Sequence, residues 1–311
     1  IERGMSTPQP FGHQQQKLLI GSCFSEEIGS LLQQNGFDCL VNPGGTIFHP
    51  LAIAKLLNWA LDEPAPLRIL QRDDVFLTWD LSGTFYALSA QDFDQKVHIL
   101  HRDIRQYLQH ASHLLLTFGT AWVYELKSDG QIVANCHKAP ASSFEKHLSD
   151  LNILQETWSE LIQRLVDFNP DLAIIFTVSP VRHLKDGLIE NTRSKARLHL
   201  LVEFLCTAPN CHYFEAYEIV LDQLRDYSFF KEDGVHPNPK AIAVVWAQFQ
   251  DQFFEPVTKK ILEEWRGLQK SKAHQMLYPE SREAQRLQKE IEKKTTEFLK
   301  RYPDFLDSTP A

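Results

Sequence analysis

Leu172-Ala-Ile-Ile-Phe-Thr-Val178 is a seven-residue run without a charged side chain, closed by Ser179-Pro180. So short and continuous an apolar run predicts a strand buried on both faces, as in a parallel sheet, rather than a half-exposed antiparallel one. Lys17–Ile20, stopped at Gly21, and His113–Phe118, ending at Gly119-Thr120, repeat the pattern. Helical periodicity fills the intervals: Ser25 to about Gln34, with Ile28, Leu31 and Leu32 on one face, then Pro50–Leu61, 91–110, Ser149–Phe168 and Ser194–Thr207. A short strand at His212–Phe214, a helix over Ala216–Arg225, a loop at 231–239 and a last core helix, Pro239–Phe253, follow. Residues 62–90, with Phe76-Leu77-Thr78-Trp79 and Phe85-Tyr86-Ala87-Leu88, predict a small β excursion, and Tyr124–Ala134 a hairpin around Ser128-Asp129-Gly130. Strands alternating with helices of this length give an α/β class with a parallel sheet covered on both faces.

The chain of 311 residues carries a formal charge of -8, without the basic footprint of a nucleic-acid binder or of a protein drawn to an anionic membrane surface. Five cysteines are too few and too odd for a disulfide framework, so reduced thiols in a cytoplasmic setting are expected. The longest apolar runs, Leu172–Val178 and Ala241–Trp246, are too short to span a bilayer. No secretory leader is evident, and Ile1–Gly4, ahead of Met5, has the look of an expression remnant. Residues 1–16 are therefore set apart from a catalytic domain at 17–255. Residues 256–311, rich in Lys, Glu, Arg and Gln and punctuated by Tyr278-Pro279 and Tyr302-Pro303, form a charged helical extension. A solvated extension is its plain reading, and an arm for a protein partner or for self-association the specific one.

In open parallel sheets, sites form beyond the carboxyl ends of strands. Gly21-Ser22-Cys23-Phe24-Ser25 puts a thiol between a strand and a helix N-terminus, where free N–H groups and the helix dipole favour a thiolate; the alternative is a small buried cysteine. Ser25 is the expected N-cap, with Glu26 and Glu27 in the first turn. Asp233 and His236, three apart in Asp233-Gly234-Val235-His236-Pro237, let a carboxylate hold the imidazole Nδ1–H and leave Nε2 as a general base. Asp-x-x-His occurs by chance in many loops; joined to a candidate nucleophile and to Gly44-Gly45 and Gly119, it becomes a three-part pattern. Cys136-His137 are extended neighbours that point apart, which disfavours a dyad between them. His137, and Arg182-His183 at a strand end, are candidates for binding a substrate anion; loop hydrogen bonding is the competing reading for each. Cys136, His137, Cys206 and Cys211 lack zinc-ligand spacing, and with no Gly-x-Gly-x-x-Gly or Walker loop no cofactor or metal is expected.

Leu19-Ile20-Gly21-Ser22-Cys23-Phe24-Ser25 resembles the signature of the GSCFA family, assigned to the SGNH (GDSL-like) hydrolase superfamily. Asn42–Phe48, Thr117–Tyr124, Asn135–Lys138, Ser179–His183 and Asp233–Pro237 extend the resemblance, in order, over about residues 17–240. Ser25 departs from the signature's alanine. The resemblance implies a flavodoxin-like three-layer α/β/α sandwich and ester or acyl-transfer chemistry but by itself no substrate; a small-molecule or glycan acyl ester is the expected partner. Carried over position by position, it makes Cys23 the nucleophile, or Ser22 if the register slides by one. It gives Gly44 or Gly45 an oxyanion N–H, and matches Asp233 and His236 in full. Gly119-Thr120-Ala121 lacks the family block's Asn, leaving that donor to Gly119 and, from another loop, Asn135. Hydrolysis through a thioester acyl-enzyme, transfer to another acceptor, and a non-catalytic carbohydrate or acyl-group receptor all stay open.

Overall fold

The computed structural model describes residues 11–272 and 280–306; Ile1–Gly4 and Tyr278-Pro279 lie outside them. The first half runs β1 (Gln16–Gly21), α1 (Cys23–Gln34), β2 (Cys39–Val41), α2 (Pro50–Leu61), β3 (Leu70–Arg72), β4 (Val75–Leu77), α3 (Ala90–His110), β5 (Ala111–Phe118) and β6 (Trp122–Leu126). Then come β7 (Phe144–Leu148), α4 (Leu151–Phe168), β8 (Ala173–Val178), α5 (Leu188–Leu205), β9 (Cys211–Tyr213), α6 (Ala216–Glu218), α7 (Pro239–Phe253), α8 (Pro256–Lys272) and α9 (Arg282–Arg301).

Five strands form one sheet in the order β2-β1-β5-β8-β9, every pair parallel. Alternate side chains of the apolar runs face opposite layers. Leu18, Ile20, Leu114, Leu116, Ile174 and Phe176 are buried with residues of α2 to α5, whereas Leu19, Leu115 and Ile175 are buried with α1 and α7. The result is a three-layer α/β/α fold, and it explains why the central strands read as unbroken apolar runs. Among the described residues no helix is long and apolar enough to cross a membrane.

Several elements differ from expectation. Helix α1 starts at Cys23, with Ser22 as its N-cap in place of Ser25. The anticipated hairpin within Tyr124–Ala134 is reduced to a single bridge between Glu125 and Ile132, because β6 takes the more distant β7 as its antiparallel partner. Helix α5 begins at Leu188, six residues before the expected Ser194; its first turn exposes Leu188 and Ile189, so no buried stripe marks it. The helix expected over Ala216–Arg225 is three residues of α6 followed by a wider turn to Gln223. β2, only three residues long, had no sequence signal.

Residues 256–272 and 280–306 dock on the end of α1. Trp265 Nε1 donates to Gln34 O (3.1 Å) and Leu306 N to Gly36 O (2.9 Å). Ile261, Trp265, Phe298 and Phe305 form a shared apolar cluster. Gly36 lies at φ +80° under the Phe305 ring, where a Cβ would sit 2.4 Å from Cε2.

Candidate functional site

The carboxyl end of β1 is fixed by its neighbours. Gly21 (φ +151°) passes so close to β5 that a Cβ would lie 2.4 Å from Thr117 O, so only glycine fits. Its N–H donates to Asn42 Oδ1 (2.8 Å), and its carbonyl accepts from Ile47 N (3.0 Å), so the Asn42–Ile47 segment clamps the turn from both sides. Asn42 itself adopts φ 41°, a left-handed conformation that asparagine tolerates better than most residues. Ser22 N donates to Thr117 O (3.3 Å), and the almost wholly buried Ser22 hydroxyl accepts from Phe24 N (3.3 Å) as the helix cap. Ser25 Oγ reaches across to Thr117 Oγ1 (2.7 Å), which gives the departure from alanine a structural role.

Cys23 is thereby the first residue of α1, half-buried, its sulfur beside its own N–H and that of Phe24. Those N–H groups favour the thiolate, as expected of a helix N-terminus, but they do not prevail. Burial first, then the carboxylates of Glu26 and Glu27, push the thiol above its ordinary value. The expectation that position alone would lower it is corrected here: the two glutamates that suit the helix dipole oppose a second anion.

Across the same end of the sheet, the loop before α7 is braced by Lys231 N donating to His236 O (2.8 Å) and by Asn238 capping the helix. Asp233 Oδ1 accepts the N–H groups of Val235 (2.9 Å) and His236 (3.0 Å), and Oδ2 meets His236 Nδ1 at 2.7 Å. The two N–H bonds, with the ring contact adding to them, hold the carboxyl down at about 2. An ionised partner assigns the proton to Nδ1, and Nε2 meets no partner among the described residues. No hydrogen bond joins Cys23 to His236 in the described structure.

Arg182 Nη1 reaches Gly234 O (3.4 Å), and its guanidinium covers the Phe230 ring at 5.1 Å, bringing the 180–183 loop against the Asp-x-x-His loop. His183 donates its backbone N–H to Asn191 Oδ1 (2.9 Å) and its ring is edge-on to Phe48 (5.8 Å). Its Nε2 is buried without a partner, and burial, with Lys195 and His236 nearby, lowers the ring to about 4, so it is neutral at pH 7.

The glycine N–H groups are differently disposed. Gly45 N donates to Asn42 O (2.7 Å) and Gly119 N to Phe48 O (2.8 Å), so both are already engaged; Gly44 N meets no acceptor among the described residues. Asn135 Oδ1 accepts from His137 N (2.7 Å), and His137 Nε2 contacts Thr78 O (2.7 Å). These two residues lie between β6 and β7 and sit beside Gly83 of the β excursion, next to Ser82, whose N–H donates to Gly44 O (3.0 Å). Cys136 packs against the cluster of Trp79, Leu126, Val133 and Phe144, whereas Cys206 and Cys211 flank the α5–β9 connection. Among the described residues no cluster of His, Cys, Asp or Glu is placed to hold a metal.

One buried polar face escaped sequence reasoning. Asn191, Ser194 and Lys195 share the buried side of α5 and tie down the strand-end loops. Ser194 Oγ accepts from Ala121 N (2.7 Å), and Lys195 Nζ donates to Gly119 O (2.7 Å) and Ser179 O (2.6 Å). The available signal was three polar residues at helical spacing on the stripe continued by Leu198, Leu201, Val202 and Leu205.

The GSCFA family model matches residues 16–249. No curated protein matches the chain. Among solved structures it is similar to a carbohydrate esterase family 3 protein from Talaromyces cellulolyticus, at 10% identity and a TM-score of 0.34, over 80% of this chain and 98% of that one.

Proposed function

The chain belongs to the GSCFA family, and from that premise we propose that it is an SGNH-like hydrolase of esters or thioesters, with Cys23 as nucleophile and His236 and Asp233 completing the triad. The observation that carries this reading is the Asp233–His236 pair: a carboxylate held at 2.7 Å from Nδ1 leaves Nε2 available, on the sheet end that also carries Cys23. In the proposed reaction His236 Nε2 takes the Cys23 thiol proton as Sγ attacks the acyl carbon and returns it to the leaving alcohol; Nε2 then takes a proton from the water that resolves the thioester and returns it to the departing sulfur. The Cys23 N–H, with that of Gly44, faces the oxyanion; the engagement of Gly45 and Gly119 in turns favours Gly44 for this part. His183 and Arg182 border the acyl or alcohol group, and Asn135 and His137 the far side of the Gly44-Gly45 turn. Ser22 is the weaker nucleophile on this reading, since its hydroxyl is buried and spent on a cap. The reactive thiol fits a reducing, cytoplasmic setting, and a small-molecule or glycan acyl ester fits the family's superfamily. The acyl-enzyme serves an acyltransferase equally well.

A second reading, a non-catalytic receptor for a carbohydrate or acyl group with residues 256–311 as its interaction arm, draws on the raised Cys23 thiol and the two occupied glycine N–H groups. One experiment separates the readings: brief incubation with p-nitrophenyl acetate, followed by intact mass and peptide mapping, for the parent chain and for Cys23→Ala, Ser22→Ala and His236→Ala. An acetyl adduct on Cys23 that turns over and needs His236 is expected. An adduct on Ser22 moves the nucleophile by one residue, and no site-selective adduct in the parent leaves the receptor as the better account.

A further inference from the structure

Lys231 is bound into the Asp-x-x-His loop through its backbone on both sides. Its N–H donates to His236 O (2.8 Å), and its carbonyl accepts from Gly234 N (2.9 Å). Its side chain leaves the loop and meets Glu27 of α1, Nζ to Oε1 at 3.8 Å. Glu27 is four residues after Cys23, so the two share one face of α1 a single turn apart. An ion pair therefore runs from the first turns of the helix that carries the thiol to the residue whose N–H holds the His236 carbonyl. On its other flank the loop is held by Arg182 Nη1 at Gly234 O (3.4 Å). Beside the ion pair the packing opens into a cleft of about 320 Å³, lined by Leu31, Pro237, Ile242 and Trp246 as well as the pair itself. Apolar packing alone does not close the loop onto the helix here. We propose that Lys231 and Glu27 are positioning residues: their ion pair clasps the Asp-x-x-His loop to α1 and sets His236 Nε2 against Cys23.

The inference rests on Cys23 and His236 being the nucleophile and base of the proposed hydrolase. It gives Glu27 two opposed effects on that chemistry. Its charge disfavours the thiolate, whereas its contact with Lys231 brings the base into place. On charge alone, Glu27→Gln would speed both the ionisation of the thiol and the departure of the sulfur from a thioester. Loss of the clasp slows the second step only, because that step needs Nε2 to activate water. Both side chains are about half exposed, 49% for Lys231 and 50% for Glu27, so their replacement leaves the core untouched. An exposed pair of this kind is weak, which limits its effect on a rate to about two- to fivefold.

The test acetylates Cys23 with p-nitrophenyl acetate, removes the reagent and follows loss of the acetyl group by intact mass and peptide mapping. Alkylation of the unmodified chain by iodoacetamide is measured beside it. Deacetylation is compared on the alkaline plateau of its pH profile, where His236 is neutral in every variant. In Glu27→Gln alkylation should rise while deacetylation falls about two- to fivefold. Lys231→Met should slow deacetylation by the same factor, and the double variant Glu27→Gln/Lys231→Met no further. The exchanged pair, Glu27→Lys/Lys231→Glu, should return it to within about twofold of the parent. Salt at about 1 M should slow the parent and leave the double variant unchanged. Deacetylation that speeds up in Glu27→Gln, or that stays slow in the exchanged pair, overturns the inference, since charge or the individual side chains then account for the rates. Deacetylation equal to the parent's in every variant also overturns it and leaves the hydrolase reading intact. No acetyl adduct on Cys23, or one whose loss does not need His236, overturns the hydrolase reading and the clasp with it.

Discussion

Asn42 holds the strand end that carries Cys23, and its removal gives a worked test of how that end is built. Asn42 is 8% exposed, and its Oδ1 accepts the Gly21 N–H at 2.8 Å. Replacement by alanine leaves this buried donor without a partner, at a cost of about 1–3 kcal/mol. Alanine must also adopt φ 41°, and a left-handed conformation costs an L-residue about 1–2 kcal/mol. The buried Nδ2 of Asn42 has no partner, so its loss offsets part of this. Asn42→Ala should therefore lose about 2–4 kcal/mol, and Asn42→Gly, free of the conformational cost, about 1 kcal/mol less. Urea unfolding checks both, with a lowered midpoint at constant slope as the sign of a native-state effect. Because Gly21 is followed directly by Ser22-Cys23, the alkylation rate of Cys23 should change in both variants. Equal losses for alanine and glycine would refute the backbone argument, and losses under about 0.5 kcal/mol in both, within the range of ordinary surface changes, would refute the hydrogen-bond argument.

His49 caps α2 by accepting from Leu51 N through Nδ1 (3.1 Å) and meets Ser149 Oγ through Nε2 (2.9 Å). Burial lowers it to about 3, against an ordinary 6.5. The unfolded chain therefore binds this proton first, and the contribution of neutral His49 is complete above pH 6.5 and falls as pH drops toward about 3. His49→Asn should flatten the acid limb of stability against pH by about 1.4 kcal/mol per unit between those values. Asp233, held at about 2 mainly by the backbone N–H of His236 and Val235, should keep a midpoint well below the ordinary carboxylate range in His236→Ala, by carbon-13 NMR of its carboxyl. Phe305→Ala should cost about 3 kcal/mol in urea unfolding, because the ring is buried against Trp265, Phe298 and the bare backbone of Gly36.

What the sequence disclosed was whatever depends on local composition. β5 and β8 are buried on both faces, so their apolar runs announce them, and Pro239 behind Asn238 marks the start of α7 to the residue. The Asp233–His236 contact was equally local, between partners three positions apart in one turn. What stayed hidden depends on partners remote in the chain. β6 pairs β7 with Trp122 opposite Leu148, so the nearer segment that looked like its hairpin partner makes only one bridge. The engagement of Gly45 N and Gly119 N follows from the path of the Asn42–Phe48 segment, which a glycine in the sequence does not specify. Lys195 sits on the buried face of α5, but only the strand-end carbonyls of Gly119 and Ser179 explain how a lysine can be there.

The Cys23 thiol shows the same division and decides what a reactivity measurement should find. Its position at a helix N-terminus is local and favours the thiolate; its burial is not local and outweighs that. All five thiols are displaced upward, Cys39, Cys206 and Cys211 to about 12. Those three should stay silent toward iodoacetamide at pH 7. Cys136 is the informative comparison: it is half-buried like Cys23 and raised by burial, but the charge acting on it is the Lys185 cation rather than two carboxylates. If burial and exposure alone govern reactivity, Cys23 should be the slower of the two, since Glu26 and Glu27 oppose its thiolate as well. If the N–H groups of Cys23 and Phe24 at the helix N-terminus govern it instead, the order reverses and Cys23 is the faster at pH 7. Peptide mapping of one chain measures both rates against the same reagent, so the ratio is free of differences in folding between variants. A Cys23-to-Cys136 ratio above one would refute the argument that burial outweighs the helix N-terminus at this sulfur.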